Sequence, residues 1–98
     1  MTINTKKKAN ELVIELDGRL DTITSPELEA VIKNELDGVT ALKLDFSKLE
    51  YISSAGLRVL LSAKKKMDQQ GTMEVSNLSE LVREVFDVTG FSDIISIC

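Results

Sequence analysis

Two spacings organise the apolar positions of the chain. From Glu11 to Asp17 they recur every second residue, with Leu12, Ile14 and Leu16 on one side and Glu11, Glu15 and Asp17 on the other, which predicts a half-buried strand. A shorter strand around Ile3 is expected before it. The polar segment Lys6 to Asn10 has the length of a hairpin connection, so these two strands should pair antiparallel, and Gly18 is expected to close the second. Thr24-Ser25-Pro26-Glu27 then reads as a helix start. Either Ser25 caps with Pro26 at the first helical position, or Thr24 caps with Glu27 completing a capping box. Leu28, Val31, Ile32 and Leu36 follow at helical spacing, and Gly38 stands where a left-handed C-terminal cap belongs.

Alternation returns over Ala41 to Phe46, with Leu42, Leu44 and Phe46 inward and Lys43 and Asp45 outward, a third strand. Ser47 to Glu50 is polar and is expected as a loop, after which Tyr51 and Ile52 return toward the core. Leu57, Leu60, Leu61 and Met67, widened by Val59 and Ala63, predict a second helix from about Ser54 to Gln70, ended by Gly71. Met73 and Val75 mark a fourth strand. Ser79 can cap a third helix carrying Val82, Val85 and Phe86, with Gly90 at its end, and Ile94 to Ile97 is a short last strand. Strands alternating with helices after an opening hairpin predict an α/β domain: a mixed, mostly parallel sheet of four to five strands flanked by three to four helices, with right-handed crossovers. No linker, repeat or low-complexity segment interrupts it, so residues 1–98 are expected as one domain.

Composition narrows the chemistry. The 98 residues are 43% apolar and 29% charged, ordinary for a globular protein, and no apolar run approaches the roughly 20 residues of a membrane helix. The polar, lysine-rich N-terminus lacks the anatomy of a secretory signal, which makes a cytoplasmic location the expectation. There is no histidine, and the one cysteine, Cys98, is the last residue, so hydrolytic and metal chemistry are both disfavoured and neither catalytic nor metal-binding residues are expected. A net charge of −4 argues against nucleic acid as a partner, because phosphate neutralisation needs a concentrated basic face. Lys6-Lys7-Lys8 and Lys64-Lys65-Lys66 read as a solvated hairpin tip and helix end. Cofactor fingerprints are missing: there is no phosphate loop, no Gly-x-Gly-x-x-Gly, no Cys-x-x-Cys and no acidic cluster at strand ends beside Asp45.

One segment stands apart. At Ile52-Ser53-Ser54-Ala55-Gly56 two serines occupy a helix start, where unpaired backbone N–H groups and the positive end of the helix dipole accommodate a hydroxyl cap and also favour a phosphate. Gly56 is costly there, by about 1 kcal/mol of helix propensity relative to alanine. Two readings explain it: the surface is kept bare for a partner's backbone, or the glycine packs under a neighbouring loop.

Four pieces carry a family resemblance: Asp17-Gly18-Arg19-Leu20-Asp21, Leu44-Asp45-Phe46-Ser47, Tyr51-Ile52-Ser53-Ser54-Ala55-Gly56-Leu57, and Val85-Phe86-Asp87-Val88-Thr89-Gly90-Phe91. With them the chain resembles a STAS domain of the bacterial anti-sigma factor antagonist type over nearly its whole length. In that family the helix-start motif reads Asp-Ser-Ser/Thr-Gly, and the serine after the aspartate is phosphorylated by an anti-sigma factor that is also an ATP-dependent serine kinase. Counting back from Gly56, that serine falls on Ser54, with Ser53 the alternative acceptor. The family aspartate falls on Ser53 and the second hydroxyl residue on Ala55, both departures. The resemblance implies a partner surface of Asp21, Thr22, Ser53, Ser54, Ala55, Gly56 and Arg58, a PP2C-type phosphatase as the resetting enzyme, no cofactor, no membrane contact, and a monomer or weak dimer. The alternative it leaves open is a STAS module that binds constitutively in a signalling or transport complex, without phosphorylation.

Overall fold

The computed structural model describes residues 1–98. In chain order the elements are β1 (Thr2–Lys8), β2 (Glu11–Leu20), α1 (Ser25–Glu35), β3 (Ala41–Ile52), α2 (Ser54–Met67), β4 (Thr72–Ser76), α3 (Glu80–Thr89), a single 3-10 turn (Phe91–Asp93) and β5 (Ser96–Ile97). The five strands form one sheet in the order β1-β2-β3-β4-β5, antiparallel between β1 and β2 and parallel elsewhere. The three crossovers therefore all step in the same direction across the sheet. With a common right-handed connection, that progression lays every crossover helix on the same face.

Burial agrees with this two-layer arrangement. Leu12, Ile14, Leu16 and Leu20 of β2, Leu42, Leu44 and Phe46 of β3, and Met73 and Val75 of β4 are buried together with Leu28 and Ile32 of α1, Leu57, Leu60, Ala63 and Met67 of α2, and Val82 and Phe86 of α3. The helices thus cover one face of the sheet rather than both. The opposite face is polar and carries exposed ion pairs, Lys43 with Glu11 and Glu74, and Lys48 with Glu15. Such alternation belongs to a sheet that is wet on one side, which parallel strands rarely are.

Several boundaries differ from the sequence expectation. The hairpin connection is only Ala9-Asn10; Lys6, Lys7 and Lys8 extend β1 and pair opposite Val13, Leu12 and Glu11. A two-residue connection matches strand twist, with Ala9 at a positive φ of 54°, and the lysines sit on the sheet edge, where charge discourages pairing with another chain. Gly18 does not end β2; at φ 116° it bends a strand that continues to Leu20. The polar stretch Ser47 to Glu50 is not a loop but part of β3. Pairing passes from Glu15↔Asp45 to Asp17↔Lys48 and from Gly18↔Leu49 to Arg19↔Tyr51, so β3 holds two extra residues as bulges. Its buried positions consequently shift spacing, from Leu42, Leu44 and Phe46 to Leu49 and Ile52. Asp45 is half-buried rather than simply solvent-facing, its Oδ1 accepting from the Ser47 N–H (2.9 Å) and from Asn77 Nδ2 (3.1 Å).

Helix ends follow the same pattern of small adjustments. α2 stops at Met67, and Gln70 leaves the helix so that its Nε2 donates to the Leu36 and Val39 carbonyls at 2.7 and 2.6 Å, closing the α1 C-terminus. Ser79 caps α3 as expected, accepting from the Val82 N–H, and Gly90 ends it in the left-handed region. The chain after it forms the 3-10 turn before β5, which is shorter than Ile94 to Ile97.

Candidate functional site

At the C-terminal ends of β2 and β3 the chain delivers two turns side by side. The Ser53 N–H donates to the Leu20 carbonyl at 2.9 Å, locking the start of α2 against the β2–α1 connection. Ser53 is extended, with φ −98° and ψ 173°, and its Oγ accepts from the Gly56 N–H at 3.3 Å. It is the N-cap of α2. Ser54 is the first helical residue; it is exposed, and its hydroxyl makes no hydrogen bond within the protein. The N–H groups of Ser54 and Ala55 also lack backbone acceptors, as the first donors of a helix do. Of the two adjacent hydroxyls, one is committed to the backbone and the other is free.

Gly56 resolves toward packing. It is buried, and a Cβ placed there would lie 2.8 Å from Leu20 Cγ, 2.9 Å from Leu20 Cδ2 and 3.0 Å from Ile52 Cγ1. Expected among the contact residues, it instead lies beneath the surface, letting the first turn of α2 sit close on the ends of β2 and β3.

The β2–α1 connection is built around Asp21. Its Oδ1 accepts from the N–H groups of Ile23 and Thr24, both at 3.0 Å, while Thr24 Oγ1 accepts from the Asp21 N–H and donates to the Arg19 carbonyl at 2.7 Å. Ser25 donates both its N–H and its hydroxyl to the Asp21 carbonyl. The expected caps at Thr24 and Ser25 are therefore not made; Thr24 at the N-cap accepts nothing from the helix, because its hydroxyl is engaged with the Asp21 N–H and the Arg19 carbonyl of the preceding turn. The Thr24 N–H first, and the Ile23 N–H with it, hold the Asp21 carboxyl below the usual carboxylate range, helped by Arg19 4.0 Å away. Arg19 in turn stacks 4.3 Å over the Tyr51 ring.

The two turns share a shallow cleft of about 230 Å³ lined by Thr22, Ser25, Pro26, Glu29, Ala55, Arg58 and Val59. Thr22, Ala55 and Arg58 are thus brought together, with Ser53 and Ser54 at the adjoining helix start. Asp21 supports this surface from behind more than it forms it. Nowhere do three or more carboxylate or thiol groups converge as a metal site requires. At the far end of the chain, Cys98 is exposed and its thiol donates to Glu74, which raises its pKa.

The STAS domain model matches residues 2–98. The chain belongs to the STAS family. Among its relatives is BtrV of Bordetella bronchiseptica, assigned as an anti-sigma factor antagonist and 38% identical over 96 residues, which cover 96% of this chain and 83% of BtrV. An anti-sigma factor antagonist from Mycobacterium paratuberculosis has a crystal structure that superposes with a TM-score of 0.89 at 25% identity, covering 98% of this chain and 83% of that one. The phosphorylated form of the Bacillus cell fate determinant SpoIIAA shares the fold, with a TM-score of 0.78 and 22% identity over 99% of this chain and 91% of its own. Within the STAS family the chain falls with the anti-sigma factor antagonists, which are binding proteins and not enzymes.

The STAS motifs now divide by role. Asp17 to Asp21 is a strand end bent at Gly18 that finishes in the Asp21 turn. Val85 to Phe91 is structural: Phe86 sits edge-on between Phe46 and Phe91, at centroid distances of 6.2 and 5.8 Å. Leu44 to Ser47 holds the first bulge of β3. Tyr51 to Leu57 carries the start of α2, with Ser53 as its N-cap and the Ser54 hydroxyl exposed beside it.

Proposed function

We propose that the protein is an anti-sigma factor antagonist that binds an anti-sigma factor serine kinase through the β2–α1 turn and the start of α2, and that phosphorylation of Ser54 turns this binding off. One observation carries the reading: Ser54 offers an exposed, unbonded hydroxyl at the first position of α2, while the neighbouring Ser53 hydroxyl is engaged as the cap. Unphosphorylated, Thr22, Ser53, Ser54, Ala55 and Arg58 form a small-residue surface that the kinase can approach closely, displacing its sigma factor. A phosphate adds roughly −1.5 to −2 charges and a bulky group at the centre of that surface, on a chain whose net charge is already −4, so docking is opposed by desolvation and like-charge repulsion. A PP2C-type phosphatase would restore the binding form. No helix is long and apolar enough to cross a membrane.

The test uses the cognate kinase with ATP. Label should enter Ser54 and vanish in Ser54→Ala, and Ser54→Asp should bind the kinase at least tenfold more weakly. Label that persists in Ser54→Ala would move the site, and unchanged affinity of Ser54→Asp would favour constitutive binding without a switch.

A further inference from the structure

Ile23 sits at the tip of the β2–α1 turn with 84% of its surface in water, more than any other large apolar side chain of the protein; the rest of that group is Leu81, Val88 and Ile94. Scattered exposed hydrophobes are ordinary, so exposure alone means little. Three further facts set this one apart. The fold uses only its backbone, the N–H donated to Asp21 Oδ1, and almost any residue supplies that. Turns of this kind favour Gly, Asn, Asp or Ser, so a stiff, β-branched side chain is not chosen for the turn's sake. And the turn is held from several sides, by Asp21 Oδ1 on the Thr24 N–H and by Thr24 Oγ1 on the Arg19 carbonyl, so the side chain is displayed with little main-chain freedom left to lose.

We propose that Ile23 is the apolar anchor of the partner surface, inserting into an apolar pocket of the serine kinase that modifies Ser54. The inference rests on the function proposed above and names what that surface uses for affinity. Thr22, Ser25, Ala55 and Arg58 around the adjoining cleft are small or polar, suited to close approach but burying little apolar area. Interfaces draw most of their energy from a few large side chains seated in pockets, and a preorganised one loses least on binding. Ile23 is the one side chain in this turn that can play that part, and Asp21 acts as its positioning residue.

Binding of the purified cognate kinase to wild type, Ile23→Leu, Ile23→Ser and Val88→Ala, at one fixed salt concentration, tests this. Val88 is 80% exposed in the last turn of α3, remote from the start of α2, and controls for generic loss of apolar surface. Ile23→Ser should weaken binding at least tenfold, mainly through faster dissociation, while Ile23→Leu stays within about threefold of wild type and Val88→Ala matches it. Unfolding midpoints should be unchanged throughout, so lost binding cannot be lost folding. Wild-type affinity in Ile23→Ser, or an equal loss in Val88→Ala, overturns the anchor while leaving the proposed function standing. A wild-type protein that binds no kinase overturns both.

Discussion

Ser53 and Ser54 are neighbours of the same type, and their environments give them different work. Ser53 Oγ satisfies the Gly56 N–H, which would otherwise be one of the orphan donors of α2, and its extended backbone is the conformation an N-cap requires. Ser53→Ala should therefore destabilise the fold by about 1 kcal/mol, read as a lower urea midpoint with unchanged slope. Ser53→Asp should restore the midpoint, since aspartate caps as well as serine and places negative charge at the helix start. Ser54→Ala, which removes no hydrogen bond, should leave the midpoint unmoved. Equal losses in Ser53→Ala and Ser54→Ala would mean that the two hydroxyls are not divided as described. The same division bears on phosphorylation, because modifying Ser53 would remove the cap whereas modifying Ser54 removes nothing.

Asp45 shows how a single carboxylate organises an element. It accepts from the Ser47 N–H at the first bulge of β3 and from Asn77, which follows β4 at a positive φ of 59°, and so ties the bulge to the next crossover. The Asn77 amide first, then the Ser47 N–H, hold its carboxyl below the usual carboxylate range. A folded-state pKa below the unfolded one means the stabilisation is present above the unfolded value, about 3.9, and is lost as pH falls through the folded one. Asp45→Ala should thus be less stable than wild type by about 1 kcal/mol at pH 7, and the gap should narrow as pH falls below about 4. Urea unfolding at pH 7 and pH 3 measures it, and a gap independent of pH would show that the carboxylate charge is not what holds the bulge. This bulge is also where the sequence is hardest to read. Leu42, Leu44 and Phe46 announce a strand by their spacing of two, but Leu49 and Ile52 follow at spacings of three, because each bulge inserts a residue without turning the chain out of the sheet. Every helix, by contrast, was legible from its apolar stripe. In the site, the helix start followed from spacing, whereas the preference for Ser54 over Ser53 came from the family resemblance, counting back from Gly56. The burial of Gly56 did not, since it depends on Leu20 and Ile52 arriving from two strands, and neither did the Asp21 turn, whose hydrogen bonds compete with an equally good capping box at Thr24.

For the whole molecule, the two-layer build decides what a phosphate on Ser54 can change. All three helices bury their apolar residues against one face of the sheet, and Ser54 points away from that core, so modification disturbs no packing. The charge enters at the positive end of the α2 dipole, next to the unpaired N–H groups of Ser54 and Ala55 and one helical turn before Arg58. That setting is worth about 0.3–1 kcal/mol to an anion at modest ionic strength. Added repulsion from the net charge of −4 works the other way, but it is spread over the surface and screened beyond about 8 Å at physiological salt, so the local term should win. Phosphorylation is therefore expected to leave stability equal or slightly raised while weakening kinase binding. Urea midpoints of the modified and unmodified protein at low and high salt test the first half: the phosphoprotein should gain up to about 1 kcal/mol at low salt, and the gain should shrink at high salt. A phosphoprotein less stable than the unmodified form by more than about 0.5 kcal/mol would mean that the switch works by loosening the start of α2, and that the surface itself is not what the kinase reads.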